Sequence, residues 1–144
     1  MKTKNELTKI RSKARGDGRA WERTVRSDLE KDGWIVDKWS KNVEFKNDDG
    51  ILITAKRTFN PFKKVLALGT GFPDFIAYKI IGDINGVIAY NVIGVECKLN
   101  GYLRDEERQK CLWLINHKIF SKILIASKSK QGRCVVVVFK EVVC

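Results

Sequence analysis

One histidine and four cysteines are spread over 144 residues, and Cys97, Cys111, Cys134 and Cys144 form no CxxC pair. His117 has no cysteine at a ligand-like spacing, so the pattern offers no structural zinc site. An even cysteine count permits disulfides, but an intracellular setting argues for free or buried thiols. Long apolar runs are missing as well. None approaches a membrane span, and the opening "MKTKNELTKIRSKARGDGR" lacks the apolar stretch of a secretory signal. The expectation is a soluble protein of the cytoplasm, or of the host cytoplasm for a viral chain, with no membrane partner. Internal repeats and low-complexity segments are also absent. The length and the 44% hydrophobic content suit a single domain with one core.

Acidic residues are in short supply: 17 Asp and Glu face 28 Lys and Arg, a formal charge of +11. The imbalance is local as well as global. Residues 118 to 133 carry Lys118, Lys122, Lys128, Lys130 and Arg133 without an acid, "KRTFNPFKK" (56 to 64) is acid-free, and the N-terminus is heavily basic. A lysine-rich surface can be merely solvated, yet clustering of this kind favours a polyanionic partner. Arg15, Arg19, Lys56, Arg57, Lys63, Lys64, Lys128, Lys130 and Arg133 are the candidate phosphate contacts.

Residues 1 to 17 show no sustained period and read as a flexible basic arm or a frayed helix. From Gly18 to Lys31, Trp21, Val25 and Leu29 stand four apart, one stripe of an amphipathic helix stopped by Gly33. "WIVDKW" reads as a strand. The segment from 41 to 72, with turn signals at "NDDG" and "FNP", reads as a hairpin or an irregular basic insertion. "PDFIAYKII" and "GVIAYNVIGVECK" form an antiparallel hairpin turning at Asn85-Gly86. "YLRDEERQKCLWLINHK" is a helix. "IFSKILIAS" and "CVVVVFKEVV" are two more strands around the turn "KSKQGR". That order predicts a mixed sheet flanked by helices, an α/β fold.

The hairpin carries the chemistry. In "VIGVECKLNG" the alternation of a strand points Ile93, Val95 and Cys97 one way and Gly94, Glu96 and Lys98 the other. Asp74 begins one arm and Glu96 ends the other. The arms are unequal, so a bulge or a splayed end is needed to bring the acids together. Two such carboxylates repel unless a cation fills the gap, and a hard ion such as Mg²⁺, or Mn²⁺ in its place, takes oxygen ligands of this kind. The backbone carbonyl of Cys97 can complete the set. Lys98 can orient or deprotonate a water or stabilise charge on a phosphate oxygen. The alternative for "ECK" taken alone is a surface ion pair.

Together, "GFPDFIAYK" and "VIGVECK" resemble the two signature elements of the PD-(D/E)xK nuclease superfamily. The flanks extend the likeness from Gly18 to about Phe139. "GRAWERTVRSDLEKDGWIV" resembles the first helix of archaeal Holliday-junction resolvases, with Glu22 at the position of their glutamate. Its own spacing leaves Glu22 either a boundary residue paired with Arg19 or Arg26, or an acid intruding on the apolar side. "GYLRDEERQKCLWLIN" resembles the helix after the ExK strand in those resolvases and in virus-type replication-repair nucleases, with Gln109 matching a glutamine that faces the site. "ILIASKSKQGRCVVVVF" resembles the closing resolvase hairpin. Two departures stand out: residues 42 to 71 are longer than the resolvase pattern, and "GFPDF" is closer to the replication-repair version.

The resemblance implies a restriction-endonuclease-like fold at 18–144 behind a basic arm at 1–17. It implies a Mg²⁺-dependent DNA endonuclease in which Asp74 and Glu96 bind metal, Glu22 assists, Lys98 activates or stabilises, and Gln109 positions. The favoured substrate is branched DNA such as a four-way junction. Two symmetric cuts there call for a homodimer, with "CVVVVF" or the Trp113 helix as interface. A nuclease for flap, nicked or sequence-specific duplex DNA, or a non-catalytic nucleic-acid-binding protein of the same fold, are the alternatives.

Overall fold

The first helix starts earlier than the apolar stripe does. The structure, a computed structural model, describes residues 1–68 and 71–143, and of Arg15, Thr58, Ala67 and Leu68 the backbone only. Helix α1 spans Lys4–Lys31 without a break at Asp17, so the basic segment continues the first helix. The reason is a capping box: Thr3 Oγ1 accepts from the Glu6 amide at 3.3 Å while Glu6 Oε2 accepts from the Thr3 amide at 2.7 Å. The far end is closed by Gly33 at φ 91°, with the Trp34 amide on the Leu29 carbonyl and the Gly33 amide on that of Glu30, both near 3 Å. Only the second half is anchored. Trp21, Val25 and Leu29 are buried, and the described side chains of residues 4 to 17 are exposed.

Strand β1 (Ile35–Lys38) follows, and then the stretch between 41 and 72 forms two separate hairpins. Strands β2 (Lys41–Lys46) and β3 (Asp49–Thr54) are joined through Asn47 and Asp48, both at positive φ, as a two-residue turn of this hand requires. This hairpin packs on the second helix, where a Cβ on Gly50 would overlap the Trp113 indole. Strands β4 (Arg57–Asn60) and β5 (Val65–Leu68) make the second hairpin.

The central sheet is built from β1, β6 (Phe75–Ile84), β7 (Val87–Cys97), β8 (Lys122–Gln131) and β9 (Cys134–Glu141), in spatial order β1-β6-β7-β8-β9. All neighbours are antiparallel except β7 and β8, which run parallel through α2 (Asp105–Asn116). The result is a mixed α/β fold with a five-stranded mixed sheet. Strand β8 runs through Gln131, so Lys128 and Lys130 belong to the strand and the turn shrinks to Gly132 and Arg133.

The sheet sorts its side chains into two cores. Phe75, Ala77, Ile93, Val95 and Ala126 pack with the α1 stripe and Val36, while Ile123 and Ile125 pack with Cys111, Leu114, Phe120 and Phe72. Helices therefore cover opposite faces. Gly94 marks the tightest point, because a Cβ there would come within 2.8 Å of Pro73 Cγ and 3.2 Å of Phe120. That close approach seats the Pro73-Asp74 segment against β7. Among the described residues no helix is long and apolar enough to cross a membrane.

Candidate active site

Register decides whether the two acids meet. Phe75 pairs with Val95, which sets Asp74 beside Glu96, and a bulge between Ile80 and Gly82 absorbs the unequal arms of the hairpin. Two hydrogen bonds then lock the pair. The Asp74 amide donates to Glu96 Oε2 at 3.0 Å, and the Cys97 amide donates to Asp74 Oδ2 at 2.8 Å. Backbone thus fixes one oxygen of each carboxylate.

Burial makes this pair costly to ionise. Glu96 is only 6% exposed. Desolvation, then the charge of Asp74, pushes its carboxyl up to about 9, and Lys98 offsets this only in part. Asp74 is raised as well, again through burial, against the lowering effect of the Cys97 amide. The Cys97 thiol is held above its ordinary value by burial and by Asp74, Glu96 and Glu22, all of which disfavour the thiolate.

Lys98 stands 3.7 Å from Glu96 Oε1 but 2.6 Å from Glu107 Oε2. Burial alone would lower the Lys98 ammonium, but the Glu107 hydrogen bond and the charges of Glu96 and Glu107 raise it. It is therefore a persistent cation, suited to stabilising developing negative charge more than to taking a proton. Its backbone is fixed too. The Lys98 amide and the Trp21 indole both donate to the Ala126 carbonyl, at 3.0 and 3.1 Å, so the α1 anchor and the lysine share one acceptor.

Glu107 is the residue that sequence reasoning missed. It is 5% exposed, accepts from the Arg104 amide and Nε at 3.1 Å each, and its pKa is lowered because Lys98 and Arg104 outweigh the cost of burial. Its signal was present: Glu107, Cys111 and Leu114 form the buried stripe of α2, with an acid at an apolar position. Gln109 is not brought to the site. Two residues beyond Glu107 it lies roughly 200° around the helix, exposed, in a groove with Phe45, Asn47, Asp48, Trp113 and Asn116.

Glu22 faces a small cleft lined by Arg19, Arg23, Arg26, Lys38 and Phe75. Its pKa is raised first by burial and next by the charge of Asp74, against Lys38 and Arg19. The Arg26 pairing is taken by Glu30 at 2.8 Å, and no ion pair forms between Glu22 and Arg19 among the described residues. Nor is Glu22 gathered with Asp74, Glu96 and Cys97 into one cluster, since no three His, Cys, Asp or Glu side chains among the described residues stand close enough to hold a metal ion together. The expected metal set is represented by the Asp74–Glu96 pair. That pair fits a hard divalent cation: its donors are all oxygen, and their mutual repulsion is what a +2 charge between them relieves.

Of the candidate phosphate contacts, Arg19, Lys56, Arg57, Lys63, Lys64, Lys128, Lys130 and Arg133 are exposed, and the Arg15 side chain lies outside the described residues. Comparison with protein-family models, with curated proteins and with solved structures gives no match for this chain.

Proposed function

We propose that the protein is a Mg²⁺-dependent DNA endonuclease, with Mn²⁺ as a substitute, of the PD-(D/E)xK type and a restriction-endonuclease-like fold. The observation that carries this reading is the locked Asp74–Glu96 pair, a half-buried and a buried carboxylate held by backbone amides, with Lys98 at 3.7 Å from Glu96. A structural ion pair has no need of two mutually repelling acids beside one lysine. Asp74 and Glu96 would hold the metal, with the Cys97 carbonyl as a further oxygen donor. The metal supplies charge neutralisation and an acidified water. Lys98, kept charged by Glu107, stabilises the phosphate oxygens as negative charge builds. Glu22, on the Asp74 side, orients water in the cleft. The exposed cations hold the DNA backbone.

Branched DNA is the favoured substrate, cut by a homodimer. The second copy is supported by the far half of the β6–β7 hairpin, where Ile80, Ile81, Ile84, Val87, Ile88 and Tyr90 are each about half exposed or more. On β9 only Val135 reaches that level, and Trp113 packs on the β2–β3 hairpin, so the ribbon is the better interface.

The test uses labelled four-way junction, flap and linear duplex with Mg²⁺ or EDTA, alongside Asp74→Ala and Lys98→Ala. Metal-dependent cutting that both variants abolish is the expected result, and paired symmetric nicks confined to the junction select branched DNA. Binding without cutting in Mg²⁺, and again with Mn²⁺ in its place, overturns the enzyme reading.

A further inference from the structure

The β4–β5 hairpin spends its apolar surface in an unusual place. Phe62 at its tip is 94% exposed, and Phe59 and Leu66, directly paired behind it, are 56% and 62% exposed. Leaving an aromatic ring in water forgoes the burial that a folded chain normally gains from it. The tip is also built to be stiff. Asn60 Oδ1 accepts from the Phe62 amide at 3.0 Å and from the Lys63 amide at 3.2 Å, Pro61 fixes its own φ, and Lys64 sits at φ 50°. A loop ordered around an exposed ring presents that ring to something.

The surroundings narrow the partner. Residues 51 to 73 contain no acid, and Lys56, Arg57, Lys63 and Lys64 enter no ion pair among the described residues. The occupant must therefore offer a flat apolar face between negative charges. A nucleobase between phosphates does this, and aromatic wedges flanked by cations act on accessible base steps in this way. Anionic lipid offers a similar combination. The distribution of charge favours nucleic acid, because exposed cations also stand on α1 and at the end of β8, more than one loop would need.

The geometry points to Phe62 as a base-stacking wedge that inserts at an unstacked step, a branch, nick or unpaired base, while Lys63 and Lys64 hold the flanking phosphates. This rests on the proposed nucleic-acid substrate and adds to it the residue that would distinguish interrupted from continuous duplex.

The experiment measures binding in EDTA, so that nothing is cut, to a continuous duplex and to a four-way junction carrying 2-aminopurine at the branch. Wild-type protein is expected to raise the 2-aminopurine fluorescence and to prefer the junction. Phe62→Ala should abolish the fluorescence rise and cut the preference about tenfold, leaving duplex affinity within about twofold, and Phe62→Trp should restore both. Lys63→Ala with Lys64→Ala should weaken binding to both DNAs and lower the salt slope by about two. If wild type binds neither DNA, the nucleic-acid reading itself fails. If it binds both and Phe62→Ala behaves as wild type, the wedge alone is overturned. Loss of binding to anionic vesicles in Phe62→Ala, with DNA binding unchanged, reassigns the tip to a lipid surface and overturns it as well.

Discussion

Replacing Glu96 by Gln removes one titratable carboxyl of the acid pair while leaving a carbonyl oxygen to accept from the Asp74 amide. In the folded protein the Glu96 carboxyl is pushed from its ordinary 4.5 up to about 9. A raised value means the folded state binds the proton more tightly than the unfolded one. The contribution to stability is therefore complete below the unfolded value and is lost as pH climbs towards the folded one. At about pH 7 the loss is on the order of 3 kcal/mol, from roughly 1.4 kcal/mol per pH unit above the unfolded value. Asp74 and Glu22 are shifted the same way and leave a residual slope in the variant. Urea unfolding in EDTA should show wild-type stability falling from about pH 5 to about pH 9, with Glu96→Gln flatter and more stable at the alkaline end. Mg²⁺ should restore wild-type stability there and do little for the variant. A wild-type curve that rises across this window, or a variant less stable than wild type at alkaline pH in EDTA, would refute the account of the pair.

Glu107→Gln should release Lys98 towards Glu96, so that the ammonium competes with the metal. Cleavage is expected to fall by about tenfold or more at limiting Mg²⁺ and to recover in part at saturation, and wild-type cleavage at every Mg²⁺ level would leave Glu107 a purely structural residue. The apolar β6–β7 ribbon should hold two copies together in solution without DNA. Light scattering should give twice the 16.5 kDa chain mass, and Ile88→Lys, at an exposed position, should return the single-chain mass with unchanged circular dichroism. A monomeric wild type at high micromolar concentration removes the ribbon as an interface.

The parts of this molecule that were legible in its sequence are those with a strict period or a forced turn. Trp21, Val25 and Leu29 announced the buried stripe of α1, Asn85-Gly86 announced the hairpin, and the unequal arms around it required the bulge found after Ile80. What escaped had a local cause that periodicity does not register. The start of α1 depends on the reciprocal bonds of Thr3 and Glu6, which need no apolar pattern. The two hairpins between 41 and 72 depend on positive φ at Asn47, Asp48 and Lys64, none of them glycine. Gln109 was matched only by resemblance to the helix after the ExK strand in other nucleases, whereas the side chain that reaches Lys98 is Glu107, set by which face of α2 turns inward.

That substitution of roles says something about how the site keeps its charges apart. Glu96 and Lys98 share a strand face, and left to themselves they would close into an ordinary ion pair that neutralises both. Glu107 draws the ammonium to 2.6 Å, so that the pair with Glu96 is the longer one, at 3.7 Å. Burial is the main reason for the raised pKa of Glu96, and the charge of Asp74 on its other side adds to it while Lys98 offsets only part. In a chain of formal charge +11, with 28 basic residues available, a buried acid pair left short of positive charge is a deliberate local deficit. Under the proposed function the basic exterior would draw DNA in, and its phosphate would settle beside Asp74 and Glu96 only once that deficit is filled. Asp74 and Glu96 would hold a divalent cation that supplies the missing positive charge, so on the proposed function metal and substrate should each tighten the other's binding. Titrating Mg²⁺ at fixed, subsaturating DNA and DNA at fixed, subsaturating Mg²⁺, with Lys98→Ala to block cutting while both acids remain, would measure that coupling through its reciprocity, and equal DNA affinity with and without Mg²⁺ would refute it.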